Sequence, residues 1–176
     1  EGGGAMYIED ADPNIFNCWF YGNRAFKGGA ISAREDASPR NFNCIFTNNE
    51  ASDTRGGAIL FHENNTNTAS PQIINSTFFA NTSDVNDAVA IDELGGSSDQ
   101  INLTITYSIF QSNGFNVSNN DFTNTPALTL VDCHFDNAQS AIQSGSSVPL
   151  QFTASTNIFS AGHLFADPTN GPSEGD

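Results

Sequence analysis

The stretch from Gly28 to Asn49, GGAISAREDASPRNFNCIFTNN, recurs along the chain, and this recurrence constrains the fold more than any other feature. Upstream, Gly3-Gly4-Ala5-Met6 leads through Pro13 to Phe16-Asn17-Cys18-Trp19-Phe20 and Asn23. Downstream, Gly56-Gly57-Ala58-Ile59 leads through Pro71 to Ile74-Asn75-Ser76-Thr77-Phe78 and Asn81. Fainter copies follow at Thr106 to Phe110 with Asn113, at Val131 to Phe135 and at Ser155 to Phe159. Anchoring phenylalanines at positions 20, 46, 78, 110, 135 and 159 lie 26, 32, 32, 25 and 24 residues apart. A period of that size predicts a solenoid, a propeller or an array.

Within each unit, apolar or small residues alternate with period two, which is a strand signal. The alternation predicts that Phe16, Cys18 and Phe20, then Phe42, Cys44 and Phe46, Ile74, Ser76 and Phe78, and Val131, Cys133 and Phe135 all face inward. A second short strand is expected after each Gly-Gly, at Ala5 to Ile8, Ala30 to Ala33 and Ala58 to Phe61. Weaker versions fall at Ala88 to Ile91, Ala141 to Gln143 and Leu164 to Ala166. No stretch carries helical periodicity. Short strands that return to the same slot in every unit fit a chain that winds, each strand pairing in parallel with its copy one coil on. Insertions at Glu63 to Ser70, Gly95 to Gln100 and Phe115 to Thr125 are expected to project as loops.

Asn23, Asn49, Asn81 and Asn113 all sit three residues after an anchoring Phe. Stacked amides at a repeated bend can bond to one another along the winding, so these four predict an internal ladder. Cys18, Cys44 and Cys133 share one slot, which Ser76, Ser108 and Asn157 fill elsewhere. A slot that accepts Cys, Ser or Asn wants a small, mildly polar side chain, and a free thiol suits it as a small hydrophobe. No CxxC or clustered Cys/His spacing points to a zinc site.

Charge excludes one class of partner. Twenty acidic residues against five basic ones give a formal net charge of -15. Arg24, Lys27, Arg34, Arg40 and Arg55 all precede Gly56, so the rest of the chain has no Lys or Arg to meet a phosphate, and nucleic acid is not an expected partner. No apolar run is long enough to cross a bilayer as a helix. The chain opens inside a repeat and reads as a piece of something longer.

The unit Gly-Gly-Ala-Ile, a Pro, then Asn-Cys-x-Phe-x-x-Asn resembles the repeats of right-handed parallel β-helix proteins of the pectate-lyase-like superfamily. Within it, the pattern is most similar to the polymorphic outer-membrane-protein type of repeat of large secreted bacterial surface proteins, strongly over residues 2–81 and loosely over 100–168. The segment Leu164 to Gly171 resembles the stretch that follows the last coil in such proteins. The resemblance implies an all-β, single-stranded right-handed parallel β-helix of about six coils with loop insertions, one domain over 1–176. It also implies that 160–176 is a post-helix segment leading to a further C-terminal region, and that the protein is extracellular or at the bacterial cell surface.

Fold does not settle function. A polysaccharide lyase needs a base and a cation or Ca²⁺ to hold developing negative charge, and Arg34, Asp36, Arg55 and His62 are the candidates. The adjacent acidic pairs Glu9-Asp10, Glu35-Asp36 and Asp92-Glu93 recur after the Gly-Gly strand, and Ca²⁺ is the cation that carboxylate and carbonyl oxygens would suit. Trp19, Ile45, Thr77, Ile109 and His134, with Ile158, share one outward slot and form a partly apolar stripe. The leading expectation is a non-catalytic stalk or adhesin-like module that presents loops and this stripe to a neighbouring protein or extracellular glycan. The alternative is a carbohydrate-active β-helix that cleaves an extracellular polysaccharide.

Overall fold

Every buried backbone N–H and C=O needs a partner, and a winding chain meets that demand by pairing each strand with its copy in the next coil. The computed structural model shows this arrangement, and it describes residues 2–52, 55–63, 68–84, 87–93, 100–113, 115–119, 127–136, 142–144 and 151–159. Three parallel walls run the length of the described solenoid. The first joins Met6–Glu9, Ile31–Arg34, Ile59–Glu63, Asp87–Glu93, Phe115–Asn119 and Ile142–Ser144. The second joins Asn14–Phe16, Arg40–Phe42, Gln72–Ile74, Gln100–Thr106, Ala127–Val131 and Gln151–Ser155; the third joins Trp19–Tyr21, Ile45–Thr47, Thr77–Phe79, Ile109–Gln111, His134–Phe135 and Ile158–Phe159. A short fourth wall links Arg24–Ala25, Glu50–Ala51 and Thr82–Ser83. Each of the three long walls counts six strands, and about four turns are described nearly throughout.

The corner between the second and third walls corrects part of the inward set. Asn17, Asn43, Asn75, Tyr107, Asp132 and Thr156 all take positive φ, between 47° and 56°. Such a left-handed residue ends one strand and turns the chain before the next begins, so alternation does not run through it. Ile15, Asn41, Ile73, Ile105 and Leu130 are the inward column of the second wall, and all five are buried. Phe16, Phe42, Ile74 and Val131, expected inside, therefore lie on the outer side, with Phe16 exposed and Phe42 stacked on it at 4.9 Å. Past the corner the expectation holds: Cys44, Ser76, Cys133, Phe46, Phe78 and Phe135 are buried, while Cys18 in the first coil is half-buried.

Each inward slot then becomes a column. The rings of Phe20, Phe46, Phe78, Phe110 and Phe135 stack in sequence, with centroids 4.7, 4.7, 4.6 and 5.1 Å apart. The spacing is that of paired strands, so coil pairing itself sets the ring stack. Asn23 Nδ2 donates to Asn49 Oδ1 at 2.9 Å, Asn49 to Asn81 at 2.8 Å and Asn81 to Asn113 at 3.0 Å. Each accepting oxygen also takes the backbone N–H of the preceding asparagine, and Asn49, Asn81 and Asn113 donate further to the carbonyls of Phe20, Phe46 and Phe78. The expected ladder is thus fully hydrogen-bonded along its buried length.

The small-residue slot works in the same way. Ser76 Oγ accepts from Cys44 N and Ser108 Oγ from Ser76 N, at 3.2 and 3.1 Å, while each hydroxyl donates to the carbonyl two residues earlier. Cys18, Cys44 and Cys133 direct their thiols to the equivalent carbonyls. The Gly-Gly pair closes the coil for two different reasons: Gly28 has φ +60°, and a Cβ on Gly29 would lie 2.1 Å from the Gly57 carbonyl of the next coil.

The insertions are smaller than expected. Phe115–Asn119, expected in a loop, is a strand of the first wall because its pairing with Asp87–Glu93 continues the stack. Glu63 ends a wall strand, Thr68–Ala69 pairs with Gln100–Ile101, and Gln100 opens another wall strand. The middles of those insertions, residues 120–125, the expected strand at Leu164 to Ala166, and the segment 160–176 lie outside the described residues.

Asn41 is an exception within the columns. It is fully buried between Ile15 and Ile73, and neither atom of its amide finds a partner among the described residues. An unpaired buried amide costs stability, so Asn41→Val should raise unfolding stability by about 1 kcal/mol in urea titrations. Asn81→Ala has the opposite expectation. It strands the Phe46 carbonyl, the backbone N–H of Asn49 and one of the two N–H groups of the Asn49 amide, and should cost roughly 2–4 kcal/mol, more than Asn23→Ala at the half-buried end of the ladder.

Candidate functional site: an outward row and a polar depression

In-register stacking carries outward residues into rows as strictly as inward ones. Trp19 pairs with Ile45, Ile45 with Thr77, Thr77 with Ile109, and Ile109 with His134, which pairs in turn with Ile158. The stripe expected from the repeat is therefore one continuous row on the third wall. Its exposure is graded: Trp19 is 69% and Ile45 45% exposed, while Thr77, Ile109 and His134 are half-buried. The indole Nε1–H of Trp19 donates to Thr47 Oγ1 in the next coil at 2.9 Å, and the ring lies 5.4 Å from that of exposed Tyr21 at a tilt of 55°. Alongside, the corner asparagines form an outer amide ladder: Asn75 donates to Asn43 at 2.7 Å, and Asn43 to Asn17 at 3.3 Å.

A second feature lies on the first wall. Gly2, Tyr7, Lys27, Ser32, Arg34, Leu60 and His62 line a half-open depression of about 190 Å³. Register places Glu9, Arg34, His62 and Asp92 in one row across four strands. Arg34 is already engaged, through an ion pair to Glu35 Oε1 at 3.0 Å and a longer hydrogen bond to the Tyr7 hydroxyl at 3.4 Å. Burial works against the Arg34 charge, but Tyr7, Glu35 and Glu9 outweigh it and hold the pKa above its ordinary value. Burial is also the main cause that raises the Tyr7 phenol, helped by its hydrogen bond with Glu9.

Of the four residues singled out for catalysis, Arg34 and His62 line this depression and Asp36 and Arg55 do not. Asp36 sits in the turn beyond the wall strand at φ 60°, whereas Arg55 precedes the next wall strand and accepts from Gly28 N through its carbonyl. Tyr7, Lys27 and Ser32 were not among the sequence candidates. The register Tyr7, Ser32, Leu60 was implicit in the repeat; the approach of Lys27 from the Gly-Gly corner was not.

The acidic pairs recur along one edge on the backbone, with Asp10 N bonded to Glu35 O and Glu63 paired with Glu93. Among the described residues, no group of three His, Cys, Asp or Glu is placed to hold a metal ion. No helix among them is long and apolar enough to cross a membrane. His163 lies outside the described residues.

All three thiols are free. Burial is the main cause that raises the Cys44 and Cys133 pKa above the ordinary thiol value. Both groups keep their protons in the folded chain at pH values where the unfolded chain loses them, so the stability they contribute is present below the ordinary thiol pKa and falls as pH rises beyond it. Urea titrations between pH 7 and pH 10.5 should show this fall, and Cys44→Ser, which copies the residue of the next coil, should reduce it.

Comparison with protein-family models, with curated proteins and with solved structures finds no match to this chain.

Proposed function

We propose that this chain is a non-catalytic β-helical module of a secreted or cell-surface bacterial protein, which holds the Trp19 row out for contact with a protein or an extracellular glycan. The observation that carries the reading is the unbroken register of that row over a core whose columns are hydrogen-bonded from coil to coil. Such a core keeps outward side chains at fixed spacing, which lowers the entropy lost when they bind. The repeat's likeness to the polymorphic outer-membrane-protein type within the pectate-lyase-like superfamily is the basis for the address outside the cell.

One observation favours a second reading, a polysaccharide lyase or hydrolase: the depression that brings Arg34 and His62 together with Lys27 and Tyr7. Against it, Arg34 is spent on Glu35 within the chain, which leaves less positive charge for a substrate carboxylate. The two readings separate on a panel of neutral and acidic polysaccharides, with and without Ca²⁺, scored for retention and for released or unsaturated products. The module reading expects retention without product, lost in the double variant Trp19→Ala, Ile45→Ser and kept in Arg34→Ala. Product release abolished by Arg34→Ala or His62→Ala overturns it in favour of the enzyme.

A further inference from the structure

We infer that the Trp19 end of the outward row is a platform for a neutral polysaccharide, a deepening that rests on the row being a docking surface. Trp19 and Tyr21 are 69% and 62% exposed, yet the indole is not loose. Its only polar atom is satisfied by Thr47 Oγ1 at 2.9 Å, which anchors the ring to the next coil. An indole anchored by its edge, beside a second exposed ring 5.4 Å away, offers apolar surface already in position for the C–H face of a pyranose.

Hydroxyl recognition stands nearby. Asn17, Asn43 and Asn75 form the exposed amide ladder at the adjoining corner, and each amide has both donor and acceptor capacity. Size argues against a protein as the occupant. Among the described residues, the strongly exposed apolar side chains of the third wall are Trp19, Tyr21 and Ile45, with Phe16 and Tyr107 beside the corner, a small patch against the roughly 20–30 residues of all kinds that a stable protein interface takes on each side. A sugar chain needs only one or two rings.

Charge selects the kind of sugar. A polymer of uronates would approach a chain of net charge -15 against repulsion. The cation nearest the platform in sequence, Arg24, is paired across the coils with Glu50 at 3.1 Å. The platform and its amides carry no charge, which suits a polymer of neutral hexoses.

Trp19 is the single tryptophan of the chain, so its fluorescence reports on this face alone. Titration with cellohexaose and mannohexaose should shift or enhance its emission to saturation for at least one of them, and oligogalacturonate should not. Tyr21→Ala and Asn43→Ala should each weaken that response by roughly tenfold while leaving the far-ultraviolet circular dichroism unchanged. Silence with both neutral oligosaccharides, an equal response to oligogalacturonate, or a response indifferent to Tyr21→Ala overturns the proposal. Retention of an acidic polymer that depends on Trp19 and Ile45 would overturn the neutral-glycan assignment alone and leave the row as a docking surface; retention indifferent to both residues would overturn the two together.

Discussion

Parallel pairing of each coil with its own copy is the constraint on which everything else in this molecule depends. It places equivalent residues about 4.8 Å apart, directly above one another, so any side chain chosen for a slot must tolerate itself as a neighbour. A phenylalanine does so by stacking its ring, an asparagine by donating one amide to the next, and a serine by accepting the N–H of the coil before it. A lysine or aspartate in the same inward slot would face a like charge in low dielectric. The small set of residue types that can live in a column is the physical origin of the repeat.

The same constraint explains why buried polar groups stabilise this core. Asn49 and Asn81 lie fully buried, but each has two donors and an acceptor engaged by neighbours that the stacking supplies. Asn41 shows the contrast: its column neighbours are isoleucines, which offer an amide nothing. One substitution out of step with its column leaves an unpaired group, while a whole column of the same substitution becomes a ladder.

On the outside, stacking turns single residues into rows without regard to whether the row has a use. The Trp19 row, the corner asparagines and the Glu9, Arg34, His62 row are all products of register. What distinguishes the first is a ring that is exposed and anchored at once; what weakens the last as a site is the ion pair that occupies its arginine.

The winding, the phenylalanine and asparagine columns, the shared Cys/Ser slot and the composition of the outward row were all legible in the amino-acid sequence, because each is a property of one slot read at a fixed period. Where alternation breaks became visible in the folded chain alone. Asn17 and its equivalents take left-handed backbone conformations that residues as different as Asn, Tyr, Asp and Thr share, and the resulting corner sends Phe16 and Phe42 outward although their neighbours in the motif point in. The folded chain also decided that Phe115–Asn119 is a wall strand, since its composition reads as a loop and its pairing partner, Asp87–Glu93, lies a coil away. The lining of the first-wall depression was likewise a tertiary matter. Lys27 reaches it from a corner and Arg34 from a strand, and no one-dimensional period relates the two.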